Sequence, residues 1–156
     1  MFRKLRSALH RLDYRVYKNQ GKKEHALAAL RKAAESGCAA SQNELGVLLL
    51  GENKAIEAMK WFSQSAVKGN MYAQANIGRG YYAGIGVTQS YRLALAWYKK
   101  AAKQGHPESQ YNLGLMYADA LGTEKNLEAA EQWLVLAENG GVANASEALG
   151  RVQEKT

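Results

Sequence analysis

Apolar and small residues recur every three or four positions along most of this chain, in short runs punctuated by glycine. A period near 3.6 is that of an amphipathic helix, whereas a strand would alternate with a period of two. Ala73, Ile77 and Tyr81 step by four, as do Ser109, Leu113 and Tyr117. The pattern predicts helices near 2–18, 24–36, 39–50, 53–68, 71–83, 90–104, 107–118, 125–139 and 142–154. Gly37, Gly69, Gly105 and the Gly140–Gly141 pair stand where left-handed C-terminal caps belong. Pro107 suits the first turn of its helix, where a missing N–H is no loss.

These runs repeat. Trp61, Trp97 and Trp133 are separated by two intervals of 36, and Gly46, Gly78, Gly114 and Gly150 each follow a cap glycine by nine residues. A fixed period in the thirties marks an array whose units cannot bury their apolar faces alone and stack to share one core. Around each tryptophan the neighbours are small: Ala58, Ala94 and Ala130 precede it by three, and Ser65, Ala101 and Ala137 follow it by four. Their strict phase predicts that the three indoles are core. Gly46, Gly78 and Gly114 sit mid-helix, where glycine costs about 1 kcal/mol against alanine, so their recurrence predicts close contact between helices. The first repeat is four residues shorter than the others in its loop, since Gly46 to Trp61 is 15 residues and Gly78 to Trp97 is 19.

Composition agrees with an all-α chain: 26 Ala and 18 Leu among 156 residues, with few β-branched residues. Cys38 is the sole cysteine, which excludes an internal disulfide or a cysteine-based metal site and makes a reducing, cytoplasmic setting the expectation. The net charge of +7 is unevenly placed: residues 1–24 carry +6, 25–57 carry −1, 58–107 carry +7 with no acid at all, and 108–156 carry −5. So acidic an end disfavours nucleic acid as the partner and fits protein partners, or copies stacked end to end.

Ala73, Ile77-Gly78, Tyr81, Gly84-Ile85-Gly86-Val87, Ala94, Trp97-Tyr98, Ala101-Ala102 and Gly105, followed by Ser109, Leu113-Gly114, Tyr117, Ala130, Trp133, Ala137 and Gly141, resemble the Sel1-like repeat, a relative of the tetratricopeptide repeat. The resemblance runs from about Ala26 to Gly150, with repeats at about 39–69, 71–105 and 107–141 and half-units at each end. It departs from the family pattern at Leu121-Gly122-Thr123 and at Glu138. It implies a right-handed α-solenoid of helix-turn-helix units that binds proteins and has no catalysis of its own. Bacterial members resemble adaptors in signalling, secretion and competitor interaction.

The same resemblance places a partner-binding groove on the first helix of each repeat. In the second repeat the positions are Tyr72, Ala75, Asn76, Arg79, Tyr82 and Ala83, and in the third Glu108, Tyr111, Asn112, Leu115, Ala118 and Asp119. In the first repeat they are Ala40, Asn43, Glu44, Val47, Leu50 and Gly51. Asn76 and Asn112 hold one phase, and an amide can donate to and accept from an extended peptide. Arg79 could hold a carboxylate by two bonds, and Tyr72, Tyr82 and Tyr111 offer stiff aromatic anchors. These residues could equally brace neighbouring helices.

Residues 1–23 form a separate basic, amphipathic arm in front of the repeats at 24–156. Phe2, Leu5, Leu9, Leu12 and Val16 make an apolar stripe, with Arg3, Lys4, Arg6, Arg11, Arg15 and Lys18 around it. Such a helix can cap the solenoid, its stripe packed on the helix at 24–36. It can also clasp an acidic protein or lie on an anionic membrane through residues 1–18, with Arg3, Arg6, Arg11 and Arg15 as contacts. At the other end, Val142, Ala145, Leu149 and Val152 suggest an open edge for self-association. His10, His25 and His106 show no metal-ligand spacing, and Gly84-Ile85-Gly86 lacks the strand and the Lys-Ser/Thr of a phosphate cradle. No enzyme activity, cofactor or metal is expected.

Overall fold

The structure, a computed structural model, describes residues 2–155, with side chains from residue 8 onward. The described residues form nine helices and no strand: α1 (Phe2–Asn19), α2 (Lys23–Glu35), α3 (Ala39–Gly51), α4 (Ala55–Val67), α5 (Met71–Ala83), α6 (Tyr91–Lys103), α7 (Pro107–Ala118), α8 (Leu127–Asn139) and α9 (Ala145–Gln153). They group into two compact units, Met1–Ala73 and Gln74–Thr156. No helix among the described residues is long and apolar enough to cross a membrane.

The joints between repeats are built alike. After α6, Gly105 takes φ 87°, the His106 N–H reaches the Ala101 carbonyl at 3.2 Å, and the Gly105 N–H reaches Ala102 at 3.0 Å. This paired bonding closes a helix C-terminus on a left-handed residue, a conformation that glycine adopts without steric cost. The same pair of bonds recurs at Gly37, Gly69 and Gly141. The next residue then opens the following helix: the Asn70 side chain accepts from the Ala73 N–H at 2.9 Å, and His106 Nδ1 from the Ser109 N–H at 3.2 Å. Cys38, at the same place before α3, is half-buried. Within repeats the loops differ. Asn53 takes φ 60° in the short first loop, and Ala120 takes φ 56° where the second repeat uses Gly84. The third repeat thus holds an alanine in left-handed backbone where the second has a glycine.

The indoles are not the centre of the core. Trp61, Trp97 and Trp133 are half-buried, and the residue after each is the buried one: Phe62 at 0%, Tyr98 at 4% and Leu134 at 0% exposure. Each of these side chains fills the space left by a repeated glycine. A Cβ on Gly46 would lie 2.6 Å from the Phe62 ring, on Gly78 2.7 Å from Tyr98, and on Gly114 2.7 Å from Leu134. The tryptophans border this line at the rim, where Lys100 Nζ sits 4.0 Å from the Trp97 ring centroid.

A second regularity is polar. Gln42, Gln74 and Gln110, each four residues before the repeated glycine, are buried. Gln42 Nε2 donates to the Ala34 carbonyl at 3.0 Å and Gln110 Nε2 to the Ala102 carbonyl at 3.2 Å, each tying a helix to the end of the one before it. Gln74 Oε1 accepts from Gln104 Nε2 at 2.7 Å.

Both ends of the chain differ from expectation. α1 packs on α2, but through Tyr14, which is buried, and through Tyr17, whose ring lies 5.4 Å from that of His25. The Tyr14 hydroxyl donates to Glu44, and Lys18 lies 3.6 Å from the same carboxylate. A tyrosine can bury its ring and still satisfy its hydroxyl, so it takes the inward face in place of the leucines. Leu9, Leu12 and Val16 consequently point outward. Arg3 and Arg6, with Phe2 and Leu5, lie outside the described side chains. At the C-terminal end Ala145 and Val152 are buried and Leu149 is half-buried against Ala130 and Leu134, so the predicted open edge is closed by packing on α8.

Replacing Gly114 by Ala is expected to lower unfolding free energy by about 1–3 kcal/mol, through overpacking against Leu134. Gln110→Leu is expected to cost about 0.5–1.5 kcal/mol by removing one of the two bonds to the Ala102 carbonyl, which keeps the Gly105 N–H. Urea titrations followed by circular dichroism measure both.

Candidate functional site

In the C-terminal unit the candidate residues of the second repeat sit on α5, an uninterrupted helix in which positions 76, 79 and 83 share one face and Tyr82 adjoins it. Arg79 and Tyr82 are exposed, Asn76 is half-buried, and the Tyr82 ring meets Tyr91 edge-on at 5.3 Å between centroids. Beneath them, Tyr98 reaches across Gly78 from α6. Burial pushes the Tyr98 hydroxyl up to about 12, while the Arg79 guanidinium pulls it down and Tyr82 raises it further. Arg79 and Tyr82 are the exposed groups of α5 whose electrostatic influence reaches the buried Tyr98. Nothing in the sequence marked Tyr98 for this role, although its fixed place after Trp97 and opposite Gly78 was there to be read.

No acid lies anywhere between residues 58 and 107, so Arg79 stands in an acid-free stretch of sequence. An exposed guanidinium and an exposed phenol ring three residues apart on a helix suit a carboxylate-bearing, partly apolar ligand: the cation supplies paired hydrogen bonds and the ring supplies flat apolar area.

The third-repeat candidates divide. Tyr111, with Leu115 and Ala118, packs against the cluster formed by Ala130, Leu134, Ala148 and Val152. It serves as a brace for α8 and α9. Asn112 is half-buried, whereas Glu108 and Asp119 are exposed. Asp119 caps the C-terminal end of α7, its N–H bonded to the Leu115 carbonyl. Glu108 stands 3.5 Å from His106 Nδ1.

In the N-terminal unit, Tyr72 at the start of α5 is 54% exposed and Val47 on α3 is 48% exposed. Glu44, at a groove position of the first repeat, is engaged by Tyr14 and Lys18 of α1, so the arm occupies part of the α3 face. Among the described residues no group of three or more His, Cys, Asp or Glu could hold a metal ion.

His106 links this face to pH. Its Nδ1 accepts the Ser109 N–H, so the ring must be neutral there. Burial holds the imidazole below its ordinary range, against a weaker upward pull from Glu108. In the unfolded chain histidine titrates near about 6.5. The cap's contribution is therefore complete above that value and is lost as pH falls through it and through the lower folded value. Urea midpoints at pH 8 and pH 5 are expected to fall further in the wild type than in His106→Asn, which keeps a capping oxygen without the titration.

With this geometry in view, the Sel1 repeat family model matches residues 39–70, 72–106 and 107–142. Among solved structures, c5321, a protective antigen of uropathogenic Escherichia coli with an SLR fold, is 31% identical with a TM-score of 0.80, over 85% of this chain and 29% of that one. A Sel1 repeat protein from Oxalobacter formigenes is 28% identical with a TM-score of 0.79, over 91% of this chain and 61% of that one. The chain thus spans less than two thirds of the length of either. None of the curated proteins matches it.

Proposed function

Because the chain belongs to the Sel1 repeat family, whose repeats generally mediate protein–protein interaction and are typically non-catalytic, we propose that it is a binding module that holds a protein or peptide against the α5 face. The observation that carries this reading is the exposure of Arg79 and Tyr82 on one helix, in a stretch of sequence free of acids. Arg79 and Tyr82 supply the outward contacts, with Tyr98 as their support. Asn76, half-buried on the same helix, would bond the backbone of an extended peptide; Asn112, Glu108 and Asp119 on α7 are further candidate contacts of the C-terminal unit, and Tyr72 is an exposed aromatic candidate of the N-terminal unit. Tyr111 acts by bracing. The arm of residues 1–23 is a cap in front of the solenoid of residues 24–156.

The biological setting that fits is a bacterial cytoplasmic adaptor, scaffold or inhibitor of the immunity type. The single cysteine favours a reducing compartment, and both structural relatives are bacterial.

The test is affinity capture from the source cell followed by titration of the recovered partner. Arg79→Glu and Tyr82→Ala are each expected to weaken binding by about tenfold or more, the usual effect of losing an interface anchor. Unchanged affinity in both variants overturns the reading.

A further inference from the structure

The outward turn of α1 leaves two parallel rows on the N-terminal unit. Leu9, Leu12 and Val16 are 54%, 58% and 43% exposed. They step by three and four and so form one continuous ridge of the helix. Arg11 and Arg15 step by four and lie about 100° round the helix from the apolar row, on the side away from Asp13, while Lys18, next in their line, is spent on Glu44. Asp13, the only acid in the helix, lies on the opposite flank of the apolar row, 3.9 Å from His10.

The helix cannot hide this apolar row by rotating. Its other face is committed to the Tyr14–Glu44 hydrogen bond and to the Tyr17–His25 ring contact. Turning the leucines inward would break both and leave the half-buried Glu44 carboxylate without its tyrosine donor. α1 is thus amphipathic twice over: tyrosines dock it to its own unit, and a leucine–valine row with arginines alongside faces away.

We propose that this outer face of α1 is an interfacial site for an anionic lipid surface. Charge decides the occupant. A ridge of cations beside an apolar row, on a helix of low mean hydropathy, is the arrangement in which aliphatic side chains enter the acyl boundary and guanidinium groups meet lipid phosphates. Juxtaposed cations strengthen such binding additively and make it salt-sensitive. A second copy is the poorer occupant. The like-charged arms would repel one another, and the apolar residues at the acidic end are spent on packing against α8.

The site is independent of the α5 face, and the experiment separates the two. The full chain is mixed with phosphatidylglycerol-containing vesicles or with pure phosphatidylcholine vesicles and sedimented. The wild type is expected to co-sediment with the anionic vesicles only, and to be released by high salt. Leu12→Ser and Arg15→Glu, both at exposed positions, are each expected to reduce the bound fraction by about tenfold. Their circular dichroism spectra should remain those of the wild type. Arg79→Glu with Tyr82→Ala should bind vesicles as the wild type does. Three results would overturn the proposal: equal recovery with both lipids, no recovery of folded wild type, or full binding by the Leu12 and Arg15 variants. Sedimentation equilibrium showing a dimer that Leu12→Ser dissociates would also overturn it, by assigning the row to a second copy.

Discussion

The fold rests on one steric relation: a glycine in the first helix of each repeat receives the bulky side chain that follows tryptophan in the second. Phe62 lies against Gly46, Tyr98 against Gly78 and Leu134 against Gly114. The three incoming side chains differ in shape, yet each approaches a would-be Cβ closer than atoms normally allow. The helices meet nearly backbone to side chain, and the flanking positions must be small, as Ala58, Ala94 and Ala130 are. Dispersion contacts at this spacing are lost steeply with small displacements, which explains why the phase is kept even though the loops are not.

Buried amides fix what apolar packing leaves loose. Hydrophobic contact between two helices permits sliding along their axes, since it has no direction of its own. A glutamine that donates to a particular carbonyl does not. Gln42 and Gln110 each select one carbonyl of the preceding helix and so set the register of neighbouring pairs. In the C-terminal unit Gln104 and Gln74 tie α6 to α5, the pair in which Tyr98 lies against Gly78.

Much of this was legible in the residues. Helix positions followed from the 3.6-residue period, and the cap glycines from their spacing, because both are local properties. Assigning the indoles to the core was wrong for an instructive reason. A strict period shows that a position is constrained, but a large ring with a polar N–H satisfies that constraint at the rim as well as within. The inward face of α1 was misread for a related reason. An apolar stripe identifies a face that avoids water. It does not tell which of two faces is taken first when tyrosines on the other can bury their rings and bond Glu44. The glutamines escaped notice because a polar residue at a repeated phase reads as surface until its acceptor is located.

The joints between repeats have another consequence. Those at Gly37, Gly69 and Gly105 pass from a left-handed glycine straight to the residue that opens the next helix, with residues 36–38, 68–70 and 104–106 as the whole connection, whereas the joint at Gly141 runs over residues 140–144. Such a coupling has no slack: an inserted residue would rotate the following helix by about 100° and misalign everything after it. The turns inside the repeats, at residues 52–54, 84–90 and 119–126, already vary in length without that penalty. Lineages of this protein can therefore lengthen by copying whole modules at the joints, while novelty in individual modules accumulates at the opposite, permissive turns.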